Sequence, residues 1–376
     1  MKITGVETLF GRWLAVKIHT DEGITGVSGT HSVGRIDAVK TAIEMLEPHL
    51  KGKDPFRVEH HWEAMYVDPC WRGSIMSAAI AAVDVALWDI VGKSLGVPIY
   101  RLMGGPTRDK VKLVASTGGA TTEEAVKNAE RAVKDGFKAV RITPFGPTFQ
   151  TLGHTALIRE AVKQVKAVRE AIGDDVDLAV ECLTRLRPYE AIALGKELEK
   201  YRILFYEDPV LWENVETLAE IQAHVNIPVA TGERLYSLYE FRDLLNHKAS
   251  QIIRPDVLVA GGLTNSRKIA ALAQASYVDL VPHNPSARNG ILCAVNAHFC
   301  ASVNNVVALE YAYGVERPYG GEVQQPLEVK DGYLMLPEKP GLGIELNEES
   351  IKEGPPMAGA IWQRYCLRDD GGVWHN

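Results

Sequence analysis

Between residues 111 and 310, short apolar runs alternate with longer stretches of helical spacing. VKLVAS (111–116) reads as a strand. TTEEAVKNAERAVKDG reads as a helix opened by a Thr121–Glu124 capping box, and FKAVRITP (137–144) as the second strand. A helix over 154–171 follows, then a strand ending at Glu181. The alternation continues to about Glu310 through helix-like stretches such as YEAIALGKELEKY and LTNSRKIAALAQA. It predicts eight strands, VKLVAS the first and NVVALE the eighth. Right-handed crossovers would close them into an α/β fold, a (β/α) barrel.

The first third is patterned differently. Residues 1–30 alternate apolar and polar positions like two or three antiparallel strands, with turns near Asp21–Gly23. Segments 36–50 and 56–66 have helical apolar spacing. Residues 74–95 predict a long Ala-rich helix whose nearly uninterrupted apolarity implies burial between domains. GGPTRD at 104–109 punctuates a boundary. Beyond 320 the chain is Pro- and Gly-rich, mixes strand and loop, and is expected to return to the first domain. The predicted organisation is an α+β capping domain over 1–110, completed by 321–376, and a barrel over 111–320.

The chemistry lies at the ends of the barrel runs. Glu181 ends VDLAVE, Glu207 ends RILFYE and Glu233 follows IPVATG, at equal intervals of 26 residues. Asp256 then follows SQIIRP, His283 follows VDLVP and Glu310 follows NVVAL. Charged groups at successive strand ends are how such a barrel builds an active site. Three carboxylates on one rim repel each other unless a cation lies between them, and hard oxygen ligands suit Mg²⁺. The pattern therefore points to a metal-dependent enzyme.

Composition narrows the class. The chain has 376 residues, which favours two domains, and a net charge of −7 without a long basic stripe, so nucleic acid is not an expected partner. A small anionic substrate remains compatible, because a local cation can dominate a site. The N-terminus lacks a signal-peptide apolar segment, and no apolar run reaches the about 18 residues of a membrane helix, so no membrane partner is expected. Cys70, Cys182, Cys293, Cys300 and Cys366 are scattered without a CxxC, which fits a reducing cytoplasm.

Longer landmarks add to this: MSAAIAAVDVALWDIVGKSLGVPIYRLMGG, FYEDPV, IPVATGER, IIRPDVLVAGGLT, LVPHNP and KPGLGIE. In this combination the chain resembles the enolase superfamily, in its mandelate racemase-like branch of acid-sugar dehydratases, over nearly its whole length. The resemblance implies a modified (β/α) barrel with an α+β capping domain, and a homo-oligomer. It implies Mg²⁺ bound by Glu181, Glu207 and Glu233, a His283–Asp256 base dyad, and Glu310 near the enolate oxygen. The first ligand of the family is usually Asp, where Glu181 stands here. Leu183 stands where its dehydratases carry the histidine that protonates the leaving hydroxyl.

The residue types fit that chemistry. Removing a proton beside a carboxylate builds negative charge on oxygen, so positive charge must be aimed there. His283 follows Pro282 at a strand end and suits proton transfer near neutrality. Asp256, closing the preceding strand, can reach the imidazole and fix its tautomer. On the second strand Arg141 and Thr143 stand where racemases of the superfamily carry lysines. Arginine keeps its proton, so only one substrate face has an evident base. Arg141 can instead hold a carboxylate or balance charge. His283 can return its proton to the leaving hydroxyl in a syn elimination, with Thr143 or water as weaker donors. His31 and Arg72 lie in loops of the first domain that would read the far end of the substrate, with Tyr66 and Trp71 excluding water.

The expected function is Mg²⁺-dependent dehydration of a hydroxy acid, a sugar acid, to a 2-keto-3-deoxy acid. The alternatives are a racemase or epimerase of the same superfamily, and an inert capped barrel that binds an acid without turning it over.

Overall fold

The computed structural model describes residues 1–11, 13–30, 35–67, 72–285, 290–314, 321–353, 366–367 and 371–374. An antiparallel meander comes first: β1 (Ile3–Phe10), β2 (Leu14–Thr20) and β3 (Thr25–Thr30), in that order. Helices α1 (Ile36–Leu50), α2 (Val58–Val67) and α3 (Ser74–Leu95) pack on it. The short α4 (Ile99–Leu102) leads to the barrel.

In α3 small residues allow the close packing that its composition predicts. Gly26 of β3 lies so near that a Cβ there would meet the Ala86 carbonyl oxygen at 2.1 Å. By length and composition α3 could cross a membrane, contrary to the expectation that no run reaches that size, yet 83% of its apolar window is buried inside the protein. Asp89 on this helix accepts hydrogen bonds from Val27 N–H (2.8 Å) and Leu342 N–H (2.7 Å). It thereby ties β3 to the KPGLG turn of the C-terminal segment.

Among the described residues, the barrel alternates eight parallel strands with seven α-helices. In chain order these are β4 (Lys110–Ser116), α5 (Thr122–Lys134), β5 (Ala139–Ile142), α6 (His154–Ile172), β6 (Asp177–Glu181), α7 (Pro188–Leu198), β7 (Ile203–Glu207) and α8 (Val215–His224). Then come β8 (Val229–Thr231), α9 (Leu238–Asn246), β9 (Ile252–Ile253), α10 (Gly262–Ala275), β10 (Asp279–Leu280), α11 (Gly290–Ser302) and β11 (Leu309–Ala312). Strands β4 to β10 pair consecutively, and β11 pairs with β4. A parallel bridge from Leu280 to Val306 closes the ring. Thr121 caps α5 by accepting from Glu124 N–H at 3.2 Å. The reciprocal bond of the predicted box goes one residue further back, from Ala120 N–H to Glu124 (2.8 Å).

Beyond the barrel, β12 (Val329–Lys330) and β13 (Tyr333–Met335) form a hairpin, and β13 runs antiparallel to β4. Helix α12 (Glu348–Lys352) reaches the first sheet, where Trp13 N–H donates to the Ile351 carbonyl at 3.4 Å. A small pair, β14 (Cys366–Leu367) with β15 (Val373–Trp374), follows.

Strand periodicity positions the site. Ala179, Phe205, Ala230, Ile252 and Val281 form one small cluster of the barrel interior, while Leu178, Val180 and Val229 face the helices in the main core. Side chains alternate with period two. The residues two further along, Glu181, Glu207, Arg254 and His283, share the inward parity and emerge at the C-terminal rim.

Candidate active site

Glu181 and Glu207 end adjacent strands in direct register, and Glu233 lies two residues beyond β8. One carboxylate oxygen from each lies within 4.8 Å of the others. Glu207 is fully buried, and its Oε2 has no hydrogen-bond partner among the described residues. Three convergent hard oxygen donors, one of them with a buried oxygen left unpartnered, fit a divalent cation such as Mg²⁺.

Two guanidiniums brace this cluster. Arg141 Nη1 reaches Glu181 Oε2 (3.1 Å) and also Glu207, while its Nη2 pairs with Glu310 and its Nε donates to Ser116 Oγ at 3.1 Å. Arg254, fully buried on β9's continuation, places Nε 2.9 Å from Glu207 Oε1 and Nη2 2.5 Å from Glu310 Oε2. Burial opposes the charge on Arg141, but Glu207, Glu310 and Glu181 outweigh it and raise its pKa further. Burial likewise opposes ionisation of Glu310, yet Arg141, Arg254 and His283 hold it well below the usual carboxylate range. Burial and the adjacent Glu207 charge push Glu181 well above that range, against the pull of Arg141.

His283 faces the cluster from β10's continuation. Its Nδ1 lies 2.8 Å from Asp256 Oδ2, and its Nε2 lies 3.4 Å from Glu233 Oε2. Leu258 N–H donates to Asp256 Oδ1 at 2.9 Å, which fixes the carboxylate. Burial disfavours the imidazolium, but Glu233 and the Asp256 hydrogen bond prevail and raise the His283 pKa to about 9. For Glu233 the same attraction, with Arg234 and Arg254, overcomes burial and lowers its pKa.

The segment after Glu181 is bent. Leu183 (φ 51°) and Thr184 (φ 58°) both adopt the left-handed conformation, at a cost of roughly 1–2 kcal/mol each for side chains carrying a Cβ. Leu183 N–H donates to Glu181 Oε1, and Thr184 N–H to the Asp208 carbonyl at 2.8 Å. These bonds hold the turn and orient the carboxylate.

Of the residues singled out from sequence, the structure brings together Glu181, Glu207, Glu233, Glu310, Arg141, Asp256 and His283. Thr143 is half-buried just past β5. Arg72 is exposed and packs on Tyr66, its guanidinium 4.3 Å from the ring and its Nε donating to the Tyr66 carbonyl at 2.9 Å. It is thus held against α2 and pairs with none of the rim carboxylates. His31 and Trp71 lie outside the described residues. Sequence reasoning missed Arg254 and Asn284. Asn284 N–H donates to Glu310 Oε2 at 3.2 Å. Arg254 carried a usable signal, since it stands two residues before Asp256 and shares its parity.

Residues 3–104 match the mandelate racemase/muconate lactonizing enzyme N-terminal domain, and residues 124–350 match the enolase C-terminal domain-like family. The chain belongs to the mandelate racemase/muconate lactonizing enzyme family of the enolase superfamily. It is 35% identical to D-galactonate dehydratase of Pectobacterium atrosepticum, over 96% of this chain and 98% of that one. The D-galactonate dehydratase of Ralstonia pickettii has the same identity and coverage. An Agrobacterium radiobacter enolase, proposed to be a galactarate dehydratase and solved with Na and L-malate bound, superposes with a TM-score of 0.93 at 32% identity over the whole of both chains. The 3,6-anhydro-D-galactonate cycloisomerase of Zobellia galactanivorans gives a TM-score of 0.83 at 30% identity, covering 94% of this chain and 99% of that one.

Proposed function

We propose that this protein is a Mg²⁺-dependent hydro-lyase that removes water from a sugar acid and yields a 2-keto-3-deoxy acid. One observation carries the reading: the His283 imidazole lies between Asp256 (2.8 Å) and Glu233 (3.4 Å), so a proton acceptor adjoins the three-carboxylate cluster. The likeness to D-galactonate dehydratases supports the substrate class.

Glu181, Glu207 and Glu233 would hold the cation, which when bound supplies Lewis-acid stabilisation of charge developing on the substrate carboxylate. His283 Nε2 takes the proton from the carbon beside that carboxylate, while Asp256 orients the ring through Nδ1. The imidazole must be neutral for this step. Among the groups that keep it protonated Glu233 is the strongest, and that carboxylate would favour the imidazolium less while holding a cation. The bond between the β-carbon and its hydroxyl oxygen then breaks, and the proton held by His283 leaves with that hydroxyl as water. The resulting enol loses the proton of its hydroxyl, takes one at the carbon that lost water, and becomes the keto acid.

Leu183 offers no proton, so His283 serves in both directions. Glu310, held ionised by Arg141 and Arg254, is suited to accept a hydrogen bond from a substrate hydroxyl rather than to donate to an oxyanion. Racemisation would need a base on the opposite face, where Arg141 is committed to carboxylates.

The test is a panel of aldonic and aldaric acids offered with Mg²⁺, the keto acid being trapped with semicarbazide. Product from at least one acid, lost on chelation with EDTA, is expected. Absence of keto acid across the panel, or turnover unchanged by EDTA, contradicts the proposal.

A further inference from the structure

Three of the four Glu181 and Glu207 oxygens that would bind a metal are already engaged. Glu181 Oε2 lies 3.1 Å from Arg141 Nη1, and its Oε1 accepts from Leu183 N–H. Glu207 Oε1 contacts the same Arg141 Nη1 and lies 2.9 Å from Arg254 Nε. One guanidinium nitrogen thus bridges two of the three candidate ligands, and the opposite nitrogen of the fork pairs with Glu310. Of these four oxygens, Glu207 Oε2 has no hydrogen-bond partner among the described residues.

We infer that Arg141 is an internal counter-cation that competes with the divalent metal for Glu181 and Glu207, and so sets the affinity of the site. The inference rests on the proposed metal site. Arg141 is 13% exposed and Glu207 is fully buried, so water screens the contacts poorly. A cation that takes up Glu181 Oε2 and Glu207 Oε1 must share or displace Nη1. Like charges that meet at one pair of oxygens repel, and the guanidinium has to give way along its flexible stem. Ser116 Oγ and Glu310 hold Nε and Nη2, which gives the displaced fork a retained anchor. Without metal, Arg141 offsets part of the repulsion among Glu181, Glu207 and Glu310. With metal, it raises the cost of occupancy.

Two effects of removing this charge agree in sign. A neutral side chain abolishes the competition and removes a positive charge from the site, so a divalent cation binds more tightly. A purely scaffolding role has the opposite sign, because disordered ligands bind metal less well.

The experiment measures Mn²⁺ binding to the whole protein by the loss of the free-ion EPR signal, with thermal melting alongside. Arg141→Met is expected to bind Mn²⁺ about tenfold or more tightly than the unsubstituted chain. Its melting temperature without metal should be lower, and the rise on adding Mn²⁺ larger. Arg141→Lys keeps a charge but loses the bridging fork, and should fall between the two. Equal or weaker Mn²⁺ binding by a folded Arg141→Met protein overturns the inference. If Arg141→Met does not fold, Arg141→Lys decides, and no tightening there overturns it. Glu207→Gln separates the two readings: if it leaves Mn²⁺ affinity unchanged in the unsubstituted background, or if no variant binds Mn²⁺, the metal site itself fails and this inference with it.

Discussion

Glu207 contributes a fully buried carboxylate with one unpartnered oxygen, an arrangement that is costly unless something positive meets it. Glu207→Gln should therefore abolish the rise in melting temperature that Mg²⁺ gives, with the fold intact by circular dichroism; an undiminished rise would remove this residue from the metal site. Asp256→Asn alters the orientation and basicity of His283 without deleting it, because the amide can still face Nδ1. Steady-state kinetics should show kcat reduced by about 10²–10⁴-fold, the range for loss of a well-positioned general base or its support, with KM changed little. A kcat within twofold of the parent would deny the pair its role. The strand-end acids were legible because each closes an apolar run of fixed parity. The double use of Arg141 was not, since whether a guanidinium holds substrate or ligand carboxylates depends on which side chains cross the barrel, and spacing within one strand does not reveal that. Arg254 sits inside the SQIIRP run that precedes Asp256, and only the fold shows that it spans Glu207 and Glu310.

At the scale of elements, the capping helices grip the turn that carries Asp256. Trp62 Nε1 donates to the Gly261 carbonyl at 2.6 Å, and Trp88 Nε1 to Thr264 Oγ1 at 2.9 Å. Asp84, buried on α3, accepts from Thr264 N–H at 3.0 Å and from its hydroxyl at 2.5 Å, which caps α10. Gly262 is required there, for its φ is +85° and a Cβ would meet Asp84 Oδ2 at 2.4 Å. Asp84→Ala leaves Thr264 donors unsatisfied in the interior and should cost about 1–3 kcal/mol in denaturant unfolding; a variant as stable as the parent would show the contact to be idle. Glu322 gives a pH-dependent test. Burial raises its pKa from 4.5 to about 8, and its Oε2 lacks a partner among the described residues. The stability linked to its protonated form is complete below the unfolded value and is lost as pH rises through 8. Glu322→Gln cannot ionise, so its melting temperature should exceed the parent's at pH 8 and match it near pH 4.5. Parallel curves would contradict the assignment. Element boundaries followed from apolar spacing to within a few residues, as in 74–95 and 154–171, because the buried faces are continuous. The destinations of Asp84 and Glu322 could not be read, since both depend on packing between segments distant in the chain.

At the scale of the whole molecule, parity along the strands brings Glu181, Glu207, Arg254 and His283 to the C-terminal rim of the barrel. Family likeness also motivates self-association through exposed helices of the barrel and first domain. Sedimentation at micromolar concentration should show an oligomer, and a pure monomer would remove this expectation. The central claim is that His283 both takes the α-proton and returns it to the leaving hydroxyl. Its most direct test is proton NMR of a turned-over sugar acid in D₂O with Mg²⁺, comparing the unsubstituted protein with His283→Asn. The account predicts keto acid from the former, and from the latter neither α-proton exchange nor water loss. Exchange at the parental rate in His283→Asn would contradict it.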